Sequence, residues 1–298
     1  MIEPTLNFTA CPDGTAGHRM AWWQWGTADV PHVVLCVHGL TRQGRDFDVL
    51  ARALCERAGH PIRVVCPDMV GRGRSDWLKD PNGYQFPTYV ADMLALIGQL
   101  RPGPLDWVGT SMGGIIGMAL CGTPDLPLSS PVRRLLLNDL GPVLQWQALQ
   151  RIGLYLGNTG RFRSLQEAAD AMWAVSTTFG PHTPAQWLEL SRNMVRPLAD
   201  GRGDLTLHYD PGLAQPFGQM TQESAAQGET QLWQLYDNIR CQTLLTRGSE
   251  SDVLLRSTAL EMTRRGPRAS LVEFEGVGHA PTFIAPGQVD AACAFLLQ

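Results

Sequence analysis

Gly109-Thr110-Ser111-Met112-Gly113 decides how this chain is read. It follows an apolar run, Leu105-Asp106-Trp107-Val108, that predicts a buried strand. It precedes Gly114-Ile115-Ile116-Gly117-Met118-Ala119-Leu120, whose small residues predict a helix packed closely on a sheet. Strand, G-x-S-x-G and helix in that order make a nucleophile elbow. The turn is tight enough to strain the serine backbone, and flanking side chains would collide with neighbouring elements, hence the glycines. Ser111 Oγ is then held above the sheet at a helix N-terminus, whose positive end favours a developing negative charge.

An elbow serine is inert without a base and an orienting acid, and the chain order to look for is Ser, then Asp or Glu, then His. Gly276-Val277-Gly278-His279-Ala280-Pro281 follows the strand-like Leu271-Val272-Glu273-Phe274, so His279 stands on a loop at a strand end and is the expected base. Two acids compete for the third place. Asp252 lies in the loop after the strand-like Thr243-Leu244-Leu245-Thr246, 27 residues before His279; Asp139 ends the run Leu135-Leu136-Leu137-Asn138. Both stand at carboxyl ends of strands, where an open α/β sheet builds its site. Asp252 is preferred because its loop is the usual one between the last two strands in this arrangement. Glu250 is the third choice, and Asp139 otherwise reads as a turn acid before Gly141-Pro142.

An oxyanion needs two backbone donors. One is the amide of Met112, next after the serine. The other is expected from His38-Gly39-Leu40-Thr41, which follows the apolar strand Val33-Val34-Leu35-Cys36-Val37; the glycine allows a turn that aims the Leu40 amide at the site. His38 is read as fixing that loop by hydrogen bonding.

These pieces resemble the α/β-hydrolase fold superfamily, in its cap-bearing, esterase-like branch. The matching stretches are Val37-His38-Gly39-Leu40, Asp68-Met69-Val70-Gly71-Arg72-Gly73-Arg74-Ser75-Asp76, Gly109-Thr110-Ser111-Met112-Gly113-Gly114, the Asp252 loop and Gly278-His279, spread over nearly the whole chain. The resemblance implies an α/β fold with a mostly parallel eight-stranded sheet flanked by helices, a Ser-Asp-His triad and a helical cap inserted after the sixth strand. The glycines and arginines of the Asp68 stretch are then structural or contribute to the rim of the site.

The chain order agrees. Residues 19–25, 33–37, 64–66 and 133–138 read as strands, residues 46–58 and 88–100 as helices, the first with Phe47, Leu50, Ala51 and Leu54 on one face. Alternating apolar runs and helices indicate a parallel sheet. From residue 141 to about 233, helical stretches follow without core strands, so the expected division is a core of 1–140 and 234–298 with a cap of 141–233. Residues 204–211 read as an extended segment closing the cap. The cap carries Trp146, Met172, Trp173, Phe179, Trp187, Met194, Phe217, Met220 and Trp233. Most such residues are core, but some must line an apolar pocket; Trp146, Trp173, Trp187 and Phe217 are the expected substrate contacts. Arg192 and Arg196, four apart, read as a solvated helix face rather than a carboxylate clamp.

Composition narrows the class. With 298 residues, 44% hydrophobic and 17% charged, the chain is large enough for one sizeable core. The net charge of −4 and the lack of a basic run argue against nucleic acid as partner. No apolar stretch suits a membrane span, and Met1-Ile2-Glu3-Pro4 does not open a secretory signal. Seven scattered cysteines, several beside buried strands, fit a reduced cytoplasmic setting. No metal motif occurs, and no cofactor is expected.

The expectation is therefore a serine hydrolase acting on a carboxylic ester of a small or medium organic acid through an acyl-enzyme on Ser111, as a monomer or homo-oligomer. Dehalogenases and epoxide hydrolases use Asp as nucleophile, which Ser111 argues against. Carbon–carbon hydrolases usually show Asn before the serine, a Gly-rich loop after the first His-Gly and Trp after the catalytic His; here those places hold Thr110, Leu40-Thr41-Arg42 and Ala280. Lactonase, thioesterase and hydroxyalkanoate-oligomer hydrolase activities use the same triad and stay open. A ligand-binding receptor on this scaffold is the non-enzymatic alternative.

Overall fold

The computed structural model of the chain describes residues 3–12 and 17–298. Its strands in chain order are β1 (Thr5–Cys11), β2 (His18–Trp25), β3 (Val33–Val37), β4 (Arg63–Pro67), β5 (Leu105–Thr110), β6 (Val132–Asn138), β7 (Val195–Pro197), β8 (Leu205–Leu207), β9 (Gln242–Gly248) and β10 (Ser270–Phe274). Eight of them form one sheet in the order β1-β2-β4-β3-β5-β6-β9-β10. The two pairings of β2 are antiparallel and the others parallel. The helices are α1 (Asp48–Arg57), α2 (Phe86–Leu100), α3 (Met112–Gly122), α4 (Trp146–Gly153), α5 (Leu165–Ala174), α6 (Pro184–Arg192), α7 (Ala214–Gly218), α8 (Gln222–Asn238), α9 (Arg256–Met262) and α10 (Pro286–Leu296).

The alternation of side chains along a strand explains the layers. Val33, Leu35 and Val37 of β3 join a cluster with Met93 and Leu96 of α2, Ile116 of α3 and Leu232 and Tyr236 of α8. Val34 and Cys36 point the other way, to Leu50 and Leu54 of α1 and Val289 and Ala292 of α10. Both faces of the central strands are thus covered, as a parallel sheet requires. Each fully buried Val or Leu contributes about 1.5–3 kcal/mol relative to exposure. From β3 the chain crosses to β4 on one side and then returns to β5 on the other. The strand order therefore reverses between β3 and β5, and the carboxyl ends of these two strands flank the crevice where such sheets place their sites.

Between β6 and α8 lie α4 to α7 and a two-stranded antiparallel ribbon of β7 and β8. The expected extended segment at 204–211 contains β8. This insert has its own apolar cluster of Phe162, Ala168, Ala169, Met172, Trp187, Leu190 and Met194. Helix α8 belongs with the sheet layer, because it lies directly on α3: a Cβ at Gly122 would come within 2.1 Å of the Leu235 carbonyl. The expected boundary after residue 233 falls inside this helix.

Candidate active site

The elbow follows from local sterics. β5 ends at Thr110, α3 begins at Met112, and Ser111 between them has φ 52° and ψ −115°. A Cβ at Gly109 would stand 2.3 Å from the Gly113 carbonyl oxygen, and one at Gly113 would stand 2.0 Å from that of Val37. Only glycine fits at either place, so β3, β5 and α3 approach closely enough to hold Ser111 in a strained conformation.

Ser111 Oγ–H donates to His279 Nε2 at 3.0 Å, and His279 Nδ1–H donates to Asp139 Oδ2 at 2.8 Å. Asp139 is the residue after β6, fully buried, with φ 54°. Two more donors converge on its carboxylate: the Gly248 amide at 2.9 Å and the Ser251 hydroxyl at 2.6 Å. Asn138 ties the strand ends together, its side chain donating to Thr110 Oγ1 and to the Pro281 carbonyl in the histidine loop, and accepting from Thr246 Oγ1.

The expected contact between Asp252 and His279 is not made. Asp252 instead accepts from Arg151 Nε and Nη2 at 3.0 and 3.1 Å in a pair that is partly open to solvent. The loop after β9 turns Ser251 inward and Asp252 outward, so the loop delivers a hydroxyl to the acid instead of supplying the acid. Glu250, the third choice, makes a backbone bond to the Val277 carbonyl.

Gly39 abuts the serine: a Cβ there would lie 3.6 Å from Ser111 Cβ. His38 fixes this turn, as expected. It is fully buried, donates Nδ1–H to the Gly39 carbonyl at 2.6 Å and accepts the Met69 amide at Nε2 at 2.9 Å. Burial pushes its pKa down to about 3, so the ring is neutral at pH 7. Met112 follows Ser111 directly and Leu40 follows Gly39 on the cavity wall, and neither of their amides is used in a hydrogen bond among the described residues.

A cavity of about 290 Å³ opens over Ser111 and His279. Its far wall comes from the insert and is mostly apolar, with Ile152, Phe162, Met172, Val175, Phe179 and Met194, and its polar groups include Arg151, Tyr155 and Asn158. Arg42 stands on the near wall, paired with Asp46 through two bonds at 2.6 and 2.8 Å.

None of the four expected substrate contacts lines this cavity. Trp187 is buried in the insert's own cluster, its indole N–H donating to the Ala169 carbonyl at 2.8 Å, and Trp173 packs edge-on against it at 5.0 Å between ring centroids. Phe217 packs on the main core, and Trp146 is half-buried at the start of α4. Three others of the same aromatic and Met set, Met172, Phe179 and Met194, do line it. Arg192 pairs with Glu189, and Arg196 lies over the Trp77 ring, both away from the cavity. Among the described residues one group has metal-ligand composition: Cys11, His18 and Asp92, buried together. It joins β1, β2 and α2, and β1 and β2 stand four and three places from β5 in the sheet order.

Residues 34–292 match the model of the alpha/beta hydrolase family, and the chain belongs to that family and is a hydrolase. It is 49% identical over 294 residues, 98% of each chain, to a 3-hydroxybutyrate-oligomer hydrolase of Cupriavidus necator. Among solved structures it is similar to a putative hydrolase from Rickettsia typhi, at TM-score 0.84 and 26% identity, covering 99% of both chains. It is also similar to an alpha/beta hydrolase from Novosphingobium aromaticivorans, at TM-score 0.83 and 33% identity, again with 99% of both covered. No helix among the described residues is long and apolar enough to cross a membrane.

Proposed function

We propose that this chain is a serine ester hydrolase that cleaves short oligomers of 3-hydroxybutyrate or closely related hydroxyalkanoates. The observation that carries the reading is the hydrogen-bonded line Ser111–His279–Asp139 opening into an apolar cavity. The substrate is chosen because the curated relative that matches nearly end to end acts on this class.

His279 Nε2 takes the Ser111 proton as Oγ attacks the ester carbonyl. Asp139 holds the ring in the tautomer that leaves Nε2 free and stabilises the imidazolium that forms. The Leu40 and Met112 amides receive the oxyanion, a contribution worth roughly 2.7–4 kcal/mol per donor in such sites. His279 then protonates the departing alkoxide, which leaves as a hydroxy acid or shortened oligomer. Water activated by the same ring releases the 3-hydroxyacyl group from Ser111. No step calls for a cofactor. The insert acts as a cap whose apolar wall holds the methyl-bearing acyl units, and the polar groups at Arg151, Tyr155 and Asn158 meet the ester and terminal groups. All seven cysteines are unpaired thiols, which suits a reducing compartment.

The experiment is release of free 3-hydroxybutyrate from its dimer and trimer, followed by chromatography, with a fluorophosphonate probe mapped to its site of attachment. Labelling at Ser111 without oligomer cleavage would keep the serine hydrolase and discard the substrate. No labelling and no turnover would favour a ligand-binding protein on this scaffold.

A further inference from the structure

Arg72 is fully buried in the loop after β4, yet its guanidinium hydrogen-bonds only neutral acceptors among the described residues. Nε–H donates to the Leu40 carbonyl at 2.8 Å; Nη1–H donates to the Val70 carbonyl at 2.7 Å and to Tyr89 Oη at 3.1 Å; Nη2–H points to Met112 Sδ at 3.4 Å. The cation also lies over the Tyr89 ring at 5.0 Å and the Tyr84 ring at 5.9 Å. A buried charge without a counter-ion costs several kcal/mol, which carbonyl dipoles and ring faces offset only in part. Such a cost is uncommon in a core and calls for a reason.

The reason lies in which residues the fork grips. Leu40 and Met112 come from different elements, the loop after β3 and the first turn of α3, and theirs are the two amides proposed above to receive the oxyanion. The Arg72 loop is itself clamped, with the Gly73 amide on the His208 carbonyl at 3.0 Å and the Asp210 amide on the Gly71 carbonyl at 2.7 Å. We propose that Arg72 is a positioning residue for oxyanion stabilisation: its fork fixes the Leu40 and Met112 walls relative to each other, and its unneutralised charge raises the positive potential where the oxyanion forms. This rests on the reading of Ser111 as nucleophile. Fixed dipoles and charges aimed at developing charge act strongest in a dry site and need no reorganisation during reaction.

The test compares the natural chain with Arg72→Met and Arg72→Lys, using a p-nitrophenyl ester and an aryl trifluoromethyl ketone, whose adduct with a serine is an anionic hemiketal. Active sites are counted by fluorophosphonate titration. For Arg72→Met, kcat per active site should fall roughly ten- to a hundredfold, less than the loss expected on deleting a donor outright. KM should move less than about threefold, and the ketone's inhibition constant should rise by the factor by which kcat/KM falls, as an interaction made only in the transition state requires. Arg72→Lys, with charge but no fork, should lie between. A lowered melting temperature with unchanged kcat and ketone affinity per active site would overturn the proposal and leave Arg72 a structural residue. If Arg72→Met does not fold, unchanged kcat and ketone affinity in Arg72→Lys overturns it equally. A natural chain that fails to react with the fluorophosphonate removes the nucleophile reading, and this inference with it.

Discussion

The Asp139 carboxylate lies 2.8 Å from His279 Nδ1, across 140 residues of sequence, and accepts two further hydrogen bonds from Gly248 and Ser251. An acceptor held by three donors, two from the end of β9 and its following loop and one from the histidine loop, has little freedom to turn. It therefore fixes the ring plane of His279 and keeps Nε2 directed at Ser111 Oγ, 3.0 Å away.

Asp139→Asn should lower kcat/KM for a short ester by roughly a thousand- to ten-thousandfold, because an amide in that place favours the wrong histidine tautomer. Asp252→Asn loses only a partly solvated pair with Arg151 and should change turnover less than about threefold and stability by no more than about 1 kcal/mol. Hydrolysis rates of both purified variants at neutral pH decide it; equal losses would reject Asp139 as the sole orienting acid.

Ser111→Ala and Ser111→Gly should both lose at least about a thousandfold in turnover but differ in stability. Alanine keeps the Cβ at φ 52°, whereas glycine relieves a strain worth about 1–3 kcal/mol at such a site. Chemical denaturation should rank Ser111→Gly above Ser111→Ala; the opposite order would mean the elbow is unstrained.

Val175 lines the cavity yet is 45% exposed, so it contributes little to the core. Val175→Phe should narrow the cavity and lower kcat/KM for trimers relative to dimers by roughly tenfold, within the ~1–3 kcal/mol that pocket shape can supply. Its melting temperature should not change. Trp187→Ala should do the reverse, costing about 3–5 kcal/mol of stability without altering the length preference. A length series measured beside thermal unfolding separates the two effects.

The buried His38 supplies a pH signature. Its folded pKa of about 3 lies below the ordinary value of 6.5, so below pH 6.5 the unfolded chain binds a proton that the folded chain does not. Its contribution is complete above pH 6.5 and is lost as pH falls toward 3, by up to ~1.4 kcal/mol per pH unit. Asp68, pushed up to about 6 by burial, has the opposite sign between pH 6 and 4, binding its proton first in the folded state. The comparison that isolates His38 is thus urea unfolding of the natural chain and His38→Asn at pH 7, 6 and 5. The variant should show the shallower acid loss; parallel curves would contradict a neutral, buried ring.

What the sequence by itself determined is whatever short-range sterics and periodicity dictate. Gly109 and Gly113 announce a turn that no Cβ allows, the β3 run announces a strand buried on both faces, and the glycines around His279 mark a loop at a strand end. β1 leaves only a faint apolar pattern in the sequence, because it is an edge strand with only Thr9 and Cys11 buried. The tertiary structure alone decided which acid reaches His279. Asp139 and Asp252 both follow strands, and the choice depends on the loop after β9 turning Ser251 toward the buried carboxylate and Asp252 toward Arg151. The cavity wall was decided in the same way. Trp173, Trp187, Met172 and Phe179 all pack in or against the insert's cluster, and only the assembled packing decides that Met172 and Phe179 also border the cavity over the serine while the two indoles do not. Burial is a property of a residue's surroundings, and those surroundings are assembled from segments far apart in the chain.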